Sequence, residues 1–222
     1  RRLFYPRSDW LCFSDLPEML SVSSSDPERR KLFKVLSGNE TMLMKLLVHP
    51  RSDVQSLVQY WSRGSRAKDI EPILESMSRL STTNSIDVIN FLPAFARKRL
   101  NTYPTPSTQK DRPNEDCFWT AFNFFNDPPG ETVKDQNQWG AELNARYQMV
   151  ASPAFGDMVF VTTPQGDAVH AAVYIADNVV FTKNGGNLSQ PWLLMTMQDM
   201  LAEYLQYFPL KISYFRLKQP AF

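Results

Sequence analysis

Apolar residues recur with two different periods along this chain, and the change of period falls near its middle. Through the first hundred residues they return every three or four places between clear stop signals, which is helical spacing. Asp26 and Pro27 form a cap and first-turn pair ahead of a helix over 28–37, and Gly38 suits its C-terminal cap. The pattern predicts a second helix over 40–48. Asp53 can cap a third over 54–63, where Val54, Leu57, Val58 and Trp61 share one face and Gly64 ends it. A fourth covers 70–80, and a fifth starts at Asn84 or Ser85, bends near Pro93 and continues toward Leu100. The expectation for this half is an all-α domain of antiparallel helix pairs with almost no strand.

The stretch 101–115, NTYPTPSTQKDRPNE, holds three prolines and few apolar residues, the composition of an extended linker. It divides the chain into an N-terminal helical domain, 1–105, and a second domain, 106–222. Beyond it, Phe118, Ala121, Phe122 and Phe125 lie at i, i+3, i+4 and i+7, so 117–126 reads as a buried helix. A helical patch over 140–149 precedes the turn SPAFGD, and there the period shortens to two. Segments 158–163, 168–175 and 179–183 are rich in β-branched residues and separated by PQGD and ADN, which predicts an antiparallel meander. Pro191 opens a helix to about Tyr207, and KISYFRL, 211–217, reads as a final strand. The fold class is α+β.

Composition narrows the function classes. A chain of 222 residues that is 43% apolar can bury a substantial core. Its 24 Lys and Arg against 23 Asp and Glu are scattered, so no electrostatic footprint for nucleic acid stands out. No apolar run reaches the roughly 18 to 20 residues of a membrane-spanning helix. Because the numbering opens on Arg1, a leader could precede it, and a secreted or periplasmic location is compatible with that. The two cysteines, Cys12 and Cys117, allow one disulfide but lack metal-ligand spacing, so neither a metal nor a cofactor is expected.

Cys117 stands at the start of the buried helix behind Asn114, Glu115 and Asp116. A thiol at a helix N-terminus meets free amides and the positive end of the dipole, which favours the thiolate. The alternative is an inert small core residue, since free cysteine is among the most buried types. His170 tips the balance. In AVHAAVYIA it shares a strand face with Ala172 and Tyr174, and the small Ala172 leaves room for another element to approach the imidazole.

Three segments together resemble the NlpC-type branch of papain-like cysteine peptidases, bacterial enzymes that cut peptide bonds in cell-wall peptidoglycan and related amides. DCFWTAFNFF, 116–125, is similar to the family's Asp-Cys dipeptide opening a helix. FGDMVFV, 155–161, is similar to its Gly-Asp turn into the first strand, and HAAVYIADNVVF, 170–181, to its His-led strand and returning strand. The resemblance covers about 114–217. It implies a papain-like domain with a Cys-bearing helix on an antiparallel sheet, acting on a peptide or acyl-amide substrate, with Cys117 as nucleophile and His170 as base. The family orients its histidine with a polar residue on the following strand. A two-residue turn at Asp177 and Asn178 would align His170 with Lys183, whereas a three-residue connection sets it opposite Asn184 with Thr182 on the same face. Asn184 is the preferred orienting residue, because an amide can accept from the imidazole N–H, and Thr182 is the alternative. Asp116, Trp119 and Thr182 are assigned to the substrate side. Where the family has Ser and Gly after its cysteine, Phe118 and Trp119 stand here, which points to a bulkier or apolar acyl donor. Two further readings stay open: transfer of the acyl group to an acceptor other than water, and a noncatalytic papain-like scaffold whose helical half binds a protein partner.

Overall fold

The computed structural model describes residues 4–7, 10–13, 21, 23, 25–104, 115–130 and 136–218. Most of the expected linker, 105–114, lies outside the described residues, as does the boundary drawn within it. Mixed helix and antiparallel sheet make this an α+β protein.

The first half departs from the all-α expectation. It opens with a hairpin, β1 (Phe4–Arg7) and β2 (Trp10–Phe13). Helix α1 (Asp26–Ser37) follows, ended by Gly38 in the left-handed region at φ 62°. The segment expected as a second helix contains instead β3 (Lys45–Val48), paired antiparallel with β4 (Asn84–Asp87), where the fifth helix was expected to begin. The physical reason is non-local. The Leu-rich run can follow either period, and a partner strand 40 residues away satisfies its backbone groups. Between them run α2 (Val54–Trp61), capped by the Asp53 carboxylate accepting from the Ser56 amide, and α3 (Ala67–Ser78). A 3-10 turn (Val88–Phe91) and α4 (Ala94–Arg99) complete this half.

In the second half α5 (Cys117–Phe122) and α6 (Gln136–Arg146) precede six strands. These are β5 (Tyr147–Val150), β6 (Met158–Thr162), β7 (Ala168–Ala176), β8 (Val179–Lys183), β9 (Trp192–Thr196) and β10 (Lys211–Leu217). The sheet order is β5-β10-β6-β7-β8-β9, antiparallel throughout. The helix expected from Pro191 is thus split into strand β9, α7 (Met197–Ala202) and a 3-10 turn (Leu205–Tyr207). Pairing with β8 explains the change, since Trp192–Thr196 completes the sheet.

Strand alternation sorts the sheet's side chains onto two faces. Ala171, Val173 and Phe181 join α5 in the larger core, whereas Ala172, Val180 and Met200 of α7 form a smaller one. The larger core runs through both halves of the chain: Trp61 of α2 packs on Phe155 at a ring-centroid separation of 5.1 Å. First-half segments also cover the β9 edge. The Met42 amide donates to the Leu194 carbonyl at 2.8 Å, and the Asn101 amide to the Trp192 carbonyl at 2.8 Å. A sheet edge closed in this way is not available for pairing with other chains.

The turn into β6 is also tied to the first half. Asp157, with no exposed surface, receives Arg63 at 2.6 Å and Arg216 at 2.6 Å, as well as the Ala154 amide at 2.8 Å. Gly156 has φ 82°, and a Cβ there would lie 2.3 Å from the Phe125 ring. Only glycine provides both that backbone and that space.

Candidate active site

Asp116 shapes the head of α5. Its carboxylate accepts from the Trp119 amide at 2.9 Å, so it serves as the helix cap as well as flanking the thiol. Burial raises its pKa, and the capping bond opposes that rise. Cys117, one residue on, is only 4% exposed. Burial and then the Asp116 charge push its thiol up to about 12. The expectation of a thiolate favoured by the helix N-terminus is therefore corrected for this state: desolvation and a neighbouring carboxylate outweigh the dipole. The amides of Ala171 and Phe118 act in the opposite direction, and Ala171 directly follows His170. Both cysteines are free.

His170 shares the α7 face with Ala172 and is fully buried. Its Nε2 lies 2.8 Å from the Thr182 hydroxyl and its Nδ1 lies 2.8 Å from the Tyr204 hydroxyl. The Thr182 hydroxyl donates in turn to Asn184 Oδ1 at 3.4 Å. Since a hydroxyl has a single proton, Thr182 accepts from Nε2–H, which leaves Nδ1 as an unprotonated acceptor for the Tyr204 O–H. The chain Tyr204, His170, Thr182, Asn184 thus selects the tautomer whose basic nitrogen is Nδ1. Burial, then the Lys183 charge, depress the imidazole to about 3, so it is neutral.

The turn after β7 combines both expected connections. Ala176 pairs with Val179 around a two-residue turn, with Asp177 at φ 52°. A register shift between Tyr174 and Ala176 then pairs Val173 with Phe181. That register brings Thr182 under the imidazole. Thr182 is the ring's direct partner, and Asn184 acts one bond further out, so the order preferred from sequence is reversed. Lys183 belongs to the α5 face. Its ammonium, held by the carbonyls of Gly185 at 2.7 Å and Asn187 at 3.1 Å, is lowered to about 8 by burial, and the Cys117 and Asp116 charges oppose that shift.

The thiol is met by the Ala171 amide, one residue from His170, and burial and then the Cys117 charge raise the pKa of the Tyr204 phenol that sits on the imidazole, while both ring nitrogens are bonded to hydroxyls. Trp119 does not line an open groove. It is 2% exposed, packed on Phe95 with the Arg99 guanidinium 5.0 Å from its ring, which makes it part of the core. Tyr204 carries no local sequence signal, because its role depends on α7 folding back over the sheet.

Among the described residues no group of three or more His, Cys, Asp or Glu could hold a metal ion, and no helix is long and apolar enough to cross a membrane. No protein-family model matches the chain, and no curated protein matches it significantly.

Proposed function

We propose that this protein is a thiol hydrolase of the NlpC-like, papain-fold type, cleaving an amide or peptide bond in a cell-wall peptide or related acyl amide. The observation that carries this reading is the meeting of Cys117, at the head of a capped helix, with the strand residue next to His170, whose tautomer is set by Thr182. That tautomer offers Nδ1 as the base.

In the reaction the thiol proton passes to Nδ1 as sulfur bonds to the substrate carbonyl carbon. The backbone amide of Cys117 helps to hold the oxyanion. His170 then gives its proton to the departing nitrogen as the C–N bond breaks, leaving a thioester. Water attacks that thioester with Nδ1 as base, the S–C bond breaks, and carboxylic acid and free thiol are released. A noncatalytic scaffold is the second reading, favoured by the deep burial of both groups.

The test is incubation of the full chain with peptidoglycan and a panel of acyl amides, with mass analysis of products, beside Cys117→Ala. Cleavage that disappears in the variant supports the hydrolase, and cleavage that survives rules it out. No cleavage of any substrate, with Cys117 no more reactive than a model thiol in the parent and in every variant below, favours the scaffold.

A further inference from the structure

We propose that Tyr204 is a latch on the imidazole: its hydroxyl occupies the basic nitrogen of His170 in this structure, and the segment that carries it must swing away before Cys117 and His170 can exchange a proton. The inference rests on the reading of those two residues as the reacting pair.

Three observations carry it. The Tyr204 hydroxyl lies 2.8 Å from Nδ1, the nitrogen that the Thr182 bond leaves unprotonated, so the latch covers the atom that has to accept the thiol proton. The two rings stack with centroids 4.6 Å apart at 29°, so the phenol also forms a roof over a side chain with no exposed surface. Finally, the segment is built to open. From Ala202 to Pro209 every residue is exposed except Tyr204 itself, and Leu205 and Phe208 are 63% and 55% exposed. Backbone bonds from the Tyr204 amide to the Leu201 carbonyl and from the Tyr207 amide to the Tyr204 carbonyl hold it to its own neighbours. Before it, α7 is anchored by the fully buried Met200, and after it β10 is paired on both sides. A weakly packed stretch between two fixed elements, with one inward side chain, is the kind of unit that opens locally without global unfolding.

The experiment compares alkylation of Cys117 by iodoacetamide at neutral pH in the parent, Tyr204→Phe and His170→Ala. Cys12→Ser in every protein compared removes the other thiol. Tyr204→Phe keeps the stacked ring and deletes the latch bond, and should raise the labelling rate about three- to tenfold, the range set by one neutral hydrogen bond. Glu203→Gly, which loosens the backbone while leaving the hydroxyl in place, should act in the same direction and keeps the test available if the first variant folds poorly. A drop in labelling for His170→Ala with no change for Tyr204→Phe or Glu203→Gly overturns the latch and leaves the reacting pair standing. If none of the three variants changes the rate, the pair is refuted and the latch with it.

Discussion

Replacing Thr182 by Val removes one hydroxyl from a site with almost no exposed surface, Thr182 being 1% and His170 0% exposed. Val keeps the shape, so the perturbation is electronic and not a cavity. The 2.8 Å bond to Nε2 is lost, and the imidazole must either bury an unpaired N–H or shift its proton to Nδ1. An unpaired buried donor costs about 1 to 3 kcal/mol. The tautomer shift lessens that cost by turning the bond with Tyr204 round, so that Nδ1–H donates to the phenol oxygen, but it uses up the base. Equilibrium urea unfolding should therefore show a loss of about 1 to 3 kcal/mol, nearer the lower figure if the tautomer shifts. Long-range proton–nitrogen NMR of the ring should show Nδ1 moving from the unprotonated toward the protonated position. Thr182→Ser, which retains the hydroxyl, should keep the parent ring signals. Unchanged ring signals and unchanged stability in Thr182→Val would refute the chain of bonds argued above.

Acid should weaken the fold through the same ring. The unfolded imidazole titrates near 6.5 and the folded one is depressed to about 3, so between these values the unfolded chain binds a proton that the native state refuses. Stability from this group is present above the unfolded value and falls as pH drops, by up to about 1.4 kcal/mol per unit, and urea midpoints of His170→Asn between pH 7 and 4 should lack that component. Asp157→Asn removes the charge shared by Arg63 and Arg216 and should cost about 3 kcal/mol in urea unfolding, the low end for a broken buried pair because both arginines can reach water. Gly156→Ala should destabilise by about 1 to 3 kcal/mol, and adding Phe125→Ala should recover the steric part but not the part due to positive φ, as a double-mutant cycle would measure.

What could be read from the sequence was what depends on neighbours in the chain. Asp53 caps α2 and Gly38 ends α1 because these are local bonds and local dihedrals. The meander β6, β7, β8 was legible from its alternation and turn residues. Lys45–Val48 was misread because its Leu-rich pattern fits a helix equally well, and only Asn84–Asp87, far along the chain, decides otherwise. Trp192–Thr196 was absorbed into a helix for the same reason: its strand character comes from β8. At the site, the strand carrying His170 and the face it shares with Thr182 and Asn184 were readable, but which of those two side chains bonds the ring depends on side-chain reach, which strand alternation does not fix. Tyr204 was invisible, since nothing within a few residues of it announces an imidazole.

Arg63 belongs to the first half of the chain, yet it neutralises Asp157 and donates to the Phe155 carbonyl at 2.8 Å, at the very turn that launches the histidine-bearing meander. A shortened protein retaining only residues 106–222 would therefore start β6 from a half-neutralised carboxylate and leave Phe155 without its indole neighbour. The two halves are better regarded as one folding unit than as a cassette with an optional attachment, so swapping the front portion for that of another protein would have to carry an equivalent guanidinium and aromatic wedge along with it.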